Sequence, residues 1–111
     1  MLEKDYQRKL IAKLEEKFPG SIVIKNETKQ GFPDLTIFYE DRWALLECKR
    51  SEDADHRPNQ DYWVERGNKM SFASFIYPEN EGDVLRALEQ TFRADRQTCI
   101  SQSEQIPLAE L

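Results

Sequence analysis

The sequence predicts one α/β domain with a mixed four-stranded sheet flanked by helices, in the order α-β-β-β-α-β-α. Three observations predict it. Apolar residues recur at helical spacing over residues 2–18. Two short runs rich in β-branched and aromatic residues, 31–39 and 43–49, are joined by the charged turn Glu40-Asp41-Arg42. A helix-spaced segment beginning at Pro58 then separates the second of these runs from another apolar strand at 71–77. A helix between two strands is a crossover, so those strands run parallel while the hairpin is antiparallel.

Each element has its own local signal. In the first helix, Leu2, Tyr6, Leu10, Leu14 and Phe18 form one stripe, and Pro19-Gly20 ends it. Ile22 to Glu27 reads as the first strand. The segment from Gly31 to Tyr39, opened by Gly31-Phe32-Pro33, and the segment from Trp43 to Lys49 complete an antiparallel meander. Residues 50–57 are polar, lack periodicity and form a loop. Pro58 opens the second helix and Gly67 is expected to stop it. Pro78 breaks the fourth strand. Asn80 caps a third helix from Glu81 to Phe92, with Val84, Leu85, Leu88 and Phe92 on its buried side. Residues 1–92 thus form the domain, and residues 93–111 read as a flexible or partner-ordered tail.

Composition narrows the class. The chain has 111 residues, 39% hydrophobic and 33% charged, which suits one modest core. No apolar run approaches the length of a membrane span, and the N-terminal residues do not resemble a signal peptide, so a cytoplasmic protein with no membrane partner is expected. Two cysteines, Cys48 and Cys99, are too few for a disulfide framework. The net charge of −5 counts against a nucleic-acid partner unless the lysines and arginines gather on one face or the chain binds DNA as an oligomer.

Three ionisable residues interrupt the apolar hairpin: Asp34 at the start of one strand, Glu47 and Lys49 at the end of the next. Alternation along a strand points Glu47 and Lys49 one way and Cys48 the other. Folding the hairpin brings Asp34 beside both. Two carboxylates at one spot are costly unless a cation joins them. Carboxylate oxygens suit Mg2+ or Mn2+, which keep waters and take phosphate oxygens. A neighbouring ammonium then holds a water or stabilises charge on phosphate.

Pro33-Asp34 followed by Glu47-Cys48-Lys49 resembles the PD-(D/E)XK nuclease superfamily. The opening helix from Glu3 to Ile11, together with Gln60 and Gly67, is similar to its VRR-NUC type and to phage junction-resolving endonucleases. That resemblance spans roughly residues 1–92 and implies a restriction-endonuclease-like core. It implies Asp34, Glu47 and the Cys48 backbone carbonyl as metal ligands, and Glu3, Asp34, Glu47, Lys49 and Gln60 as the catalytic set, with Glu15 or Glu16 as substitutes for Glu3. The implied activity is Mg2+-dependent DNA phosphodiester hydrolysis leaving a 5′-phosphate, on branched DNA such as a Holliday junction, by a homodimer in a bacterial or phage-infected cell. Lys25, Lys29, Arg50 and Arg57 lie near the motif in sequence and are the candidate DNA contacts. His56 reads as an exposed loop residue and Trp63 as core. A noncatalytic nuclease-fold binding module and a duplex-specific restriction-type enzyme are the alternatives.

Overall fold

The computed structural model describes residues 2–27 and 30–94. Its elements run α1 (Glu3–Lys17), β1 (Ile22–Lys25), β2 (Leu35–Tyr39), β3 (Arg42–Cys48), α2 (Pro58–Met70), β4 (Phe72–Ile76) and α3 (Glu81–Arg93). The strands form one mixed sheet in the order β1-β2-β3-β4. β1–β2 and β2–β3 are antiparallel, with Lys25 opposite Leu35 and Leu35 opposite Leu46. β3 and β4 are parallel, with Glu47 beside Phe75. The α/β class, the element order and the parallel crossover agree with the sequence expectation.

Strand alternation decides which face each residue joins. Leu35 and Ile37 of β2, with Ala44, Leu46 and Cys48 of β3, face a core filled by Leu10 and Leu14 of α1 and Leu88 of α3. All eight are fully buried. Removing a Leu or Ile side chain from water contributes about 1.5–3 kcal/mol each. Phe18, Tyr39 and Phe92 close one end of this core, with ring centroids 5.2 to 5.6 Å apart. Cys48 is buried in this core as a small apolar residue, on the face that strand alternation assigns it.

α2 packs on the opposite face, and here the expected boundary is wrong. Gly67 does not stop the helix, which continues to Met70. A Cβ on Gly67 would stand 2.9 Å from Leu45 Cδ1 and 3.1 Å from the Ala73 Cβ. The glycine therefore lets α2 approach the sheet closely, a tertiary reason that outweighs its poor helix propensity.

Smaller differences have similar causes. Arg42 belongs to β3 because it pairs with Tyr39 across the two-residue turn Glu40-Asp41. β1 ends at Lys25, where Asn26 N–H bonds the Asp34 carbonyl at 2.7 Å. Asp34 precedes β2 and Lys49 follows β3, so both sit at strand ends. Asn80 is the N-cap of α3, but its side chain does not cap. Its Oδ1 accepts from Tyr77 N–H at 2.8 Å and its Nδ2 donates to the Phe75 carbonyl. Among the described residues no helix is long and apolar enough to cross a membrane. The expected tail begins at the last residue of α3, and residues 95–111 lie outside the described residues.

Candidate active site

The end of the sheet formed by the entry to β2 and the exit from β3 gathers the ionisable residues. The register that sets Leu35 opposite Leu46 brings residue 34 level with residue 47. The contacts follow. Asp34 N–H donates to Glu47 Oε1 at 3.1 Å, and Cys48 N–H donates to Asp34 Oδ2 at 3.0 Å. Each carboxylate thus braces the other strand's backbone.

Gln60, in the first turn of α2, joins the two charges of β3. Its Nε2 donates to Glu47 Oε2 at 2.9 Å, and its Oε1 accepts from Lys49 Nζ at 2.7 Å. The same Oε1 accepts from Arg57 N–H at 3.0 Å, satisfying an otherwise unpaired donor at the helix start. Lys49 Nζ stands 3.8 Å from Glu47 Oε2, so the amide holds the pair slightly apart. Glu47 is 2% exposed and Lys49 6%. Buried charges of this kind persist only when hydrogen-bonded and paired.

The electrostatics disfavour two bare carboxylates at this spot. Burial, reinforced by the Asp34 charge, pushes the Glu47 carboxyl up to about 8, outweighing the attraction of Lys49. Burial also raises Asp34, against the opposing Cys48 N–H bond. Both shifts say that the metal-free site resists holding two negative charges. The donors are all oxygen, the chemistry that a hard divalent cation requires. Among the described residues no three His, Cys, Asp or Glu side chains cluster as a metal-holding group. A two-carboxylate site fits magnesium in particular, because that ion keeps several waters and takes substrate oxygens.

The remaining expected residues divide. Glu3 is exposed in the first turn of α1, and its charge reaches Asp34 and Glu47 without entering a three-carboxylate group. Glu15 and Glu16 are exposed near the far end of α1, about 18 Å along the helix axis from Glu3. That distance removes them as substitutes. Lys25 is half exposed and close enough to lower the Asp34 pKa. Arg50 and Arg57 are exposed on the loop between β3 and α2. Lys29 lies outside the described residues. His56 is on that same loop, stacked on Phe75 at 4.0 Å between ring centroids and 3.2 Å from Asp61.

Two features escaped the sequence reading. Gln7 is 6% exposed and hydrogen-bonds the Cys48 sulfur, from beneath the site. Its signal was a polar residue set between Tyr6 and Leu10 on the apolar stripe. Lys4, Arg8 and Lys25 line a concavity of about 370 Å³ between α1 and β1, with Gln7 at its base. Here the acidic chain gathers cations on one face. Trp63, expected in the core, is only partly buried and lines an open groove with Phe32, 5.4 Å between centroids. An aromatic at helical spacing carries no sign of what its face meets.

No family model matches the sequence, and no curated protein does. A solved structure described as a VRR_NUC domain superposes with a TM-score of 0.60, at 22% sequence identity. The match covers 80% of this chain and 97% of that one. The chain therefore has the restriction-endonuclease-like α/β fold of a VRR_NUC domain.

Proposed function

We propose that the protein is a divalent-metal-dependent endonuclease that hydrolyses phosphodiester bonds in branched or otherwise structured DNA. One observation carries the reading: Asp34, Glu47, Lys49 and Gln60, scattered over 27 positions, form one hydrogen-bonded set at the end of the sheet. The fold supports it, since the chain superposes on a structure described as a VRR_NUC domain.

Asp34, Glu47 and the Cys48 carbonyl would hold Mg2+ or Mn2+, which supplies Lewis-acid polarisation of the scissile phosphate when bound. The chain's own residues do the rest. Gln60 fixes the Lys49 ammonium at 2.7 Å and the Glu47 carboxylate at 2.9 Å, so neither reorganises during reaction. Lys49, aimed by that amide, orients the attacking water and offsets charge developing on the phosphate. Glu3 adds negative potential at the edge of the site. Lys4, Arg8 and Lys25, with Arg50 and Arg57, meet the DNA backbone despite the net charge of −5. One chain carries one site, so resolving a Holliday junction takes two copies, and a twofold homodimer is the simplest arrangement.

The test is a panel of supercoiled plasmid, linear duplex and synthetic four-way junction, each with Mg2+ or Mn2+. The wild-type protein is expected to cut at least one, and Lys49→Ala and Asp34→Asn to cut none while keeping native circular dichroism. An active Asp34→Asn protein would remove the metal assignment. A wild-type protein inert on every substrate with both metals would make the domain a noncatalytic binding module.

A further inference from the structure

The face of the sheet that carries the candidate site also carries an aromatic groove. α2 covers β3 and β4 but leaves the β2 side of the same face open. The opening is a groove of about 550 Å³, walled by Phe32, Phe38, Trp43, Trp63, Arg66 and Met70. Phe38 is 41% exposed and Met70 63%, so the groove is open to solvent along its length. Its volume is within the range of small-ligand sites.

Three connections tie it to the candidate active site. Phe32 is two residues before Asp34, on the same entry segment. Trp63 follows Gln60 by three residues and so shares its helix face. Thr36 and Phe38 continue from Asp34 along one face of β2, about 7 and 13 Å further on. A strand whose phosphate lies at Asp34 and Glu47 therefore reaches the groove within a few nucleotides. The one charged side chain of the lining is cationic. The Arg66 guanidinium lies 5.7 Å from the Trp63 ring centroid and bonds Tyr62 Oη at 3.0 Å.

Resting on the nuclease reading, we propose that this groove binds an unstacked base of the substrate DNA, from an unpaired nucleotide beside the scissile phosphate. Paired bases keep their faces stacked on their neighbours, and only an unpaired base offers a flat face to aromatic side chains. Apolar walls and a cation at the rim suit a base and its phosphate respectively. Selection of branched DNA then lies in the groove, next to a catalytic set that is indifferent to pairing.

Both tryptophans of the chain, Trp43 and Trp63, line the groove, so intrinsic fluorescence reports its occupancy directly. The full chain is titrated in EDTA with a blunt duplex and with the same duplex carrying a single-stranded flap. Expected is quenching by the flap substrate, with binding on the order of tenfold tighter than to the blunt duplex, as one stacked base provides. Phe38→Ser and Met70→Ser, at exposed positions that leave the core untouched, are expected to bring that ratio toward one. Equal quenching by both DNAs, or an unchanged ratio in the variants, overturns the inference. So does a concentration-dependent doubling of mass that Phe38→Ser abolishes with no quenching by either DNA, which gives the groove to a second copy. Cleavage of both DNAs with Mg2+ is measured alongside. Loss of all cleavage defeats the nuclease reading, while the fluorescence decides the groove independently.

Discussion

Replacing Gln60 with alanine tests whether the site is one interlocked unit. Three contacts disappear together: the bond to Glu47 Oε2 at 2.9 Å, the bond from Lys49 Nζ at 2.7 Å and the bond from Arg57 N–H at 3.0 Å. Losing the helix-start contact costs about 1 kcal/mol. The bond to the Lys49 ammonium is worth about 1.5–3 kcal/mol, and the bond to Glu47, whose carboxyl is pushed up to about 8, about 1 kcal/mol. The Lys49 ammonium, only 3.8 Å from Glu47, can then close on it directly and recover part of that loss. Alanine also favours the helix by a few tenths of a kcal/mol. The expected net destabilisation is about 2–4 kcal/mol, a large part of the ~5–15 kcal/mol that holds a small domain folded. Urea unfolding followed by circular dichroism, with an unchanged m-value, reads it. Cleavage should fall with it, and the loss should persist under conditions where the variant is fully folded. A stability change below about 0.5 kcal/mol, the scale of an ordinary surface substitution, would refute the reasoning.

Other consequences are equally direct. Gly31 has φ 82° and faces Asn59, whose side chain would clash with an added Cβ. Gly31→Ala should therefore cost about 2 kcal/mol in denaturant unfolding, from left-handed strain and a displaced α2 side chain. Mg2+ at ten times its dissociation constant should stabilise the protein by about 1.4 kcal/mol. A thermal-shift assay should show that gain in the wild type and none in Asp34→Asn. Tyr6 is buried with its hydroxyl donating to Glu81 Oε1 at 2.9 Å, and burial, then that bond, hold its pKa far above the usual value. The folded state keeps this proton where the unfolded chain releases it, so the stabilisation is complete below about pH 10 and is lost as pH rises beyond it. Tyr6→Phe should flatten the alkaline limb of a stability–pH curve. An identical limb in the variant would assign it to another group.

Much of this molecule is legible from local pattern. The stripe Tyr6-Leu10-Leu14-Phe18, the alternation through Leu35 and Ile37, and the crossover helix between β3 and β4 each follow from a short-range period. Period and chain connectivity suffice to order the elements and choose their buried faces. Asp34, Glu47 and Lys49 stand out for a related reason: ionisable side chains within apolar strands need partners, and a hairpin supplies them.

Other features depend on contacts between segments far apart in sequence, and no period encodes those. Gly67 looks like a helix stop until Leu45 and Ala73 are seen against it. Gln60 stands in the expected set by resemblance alone, and its partners emerge only when α2 sets it between Glu47 and Lys49. Trp63 looks like core until the uncovered half of the sheet opens beside it. The amino-acid order by itself determined the strands, helices and charged hairpin, because backbone geometry and burial act over a few residues. Only the packed chain decided which side chains bridge the charges and which aromatic faces stay open, because those depend on how closely one surface meets another.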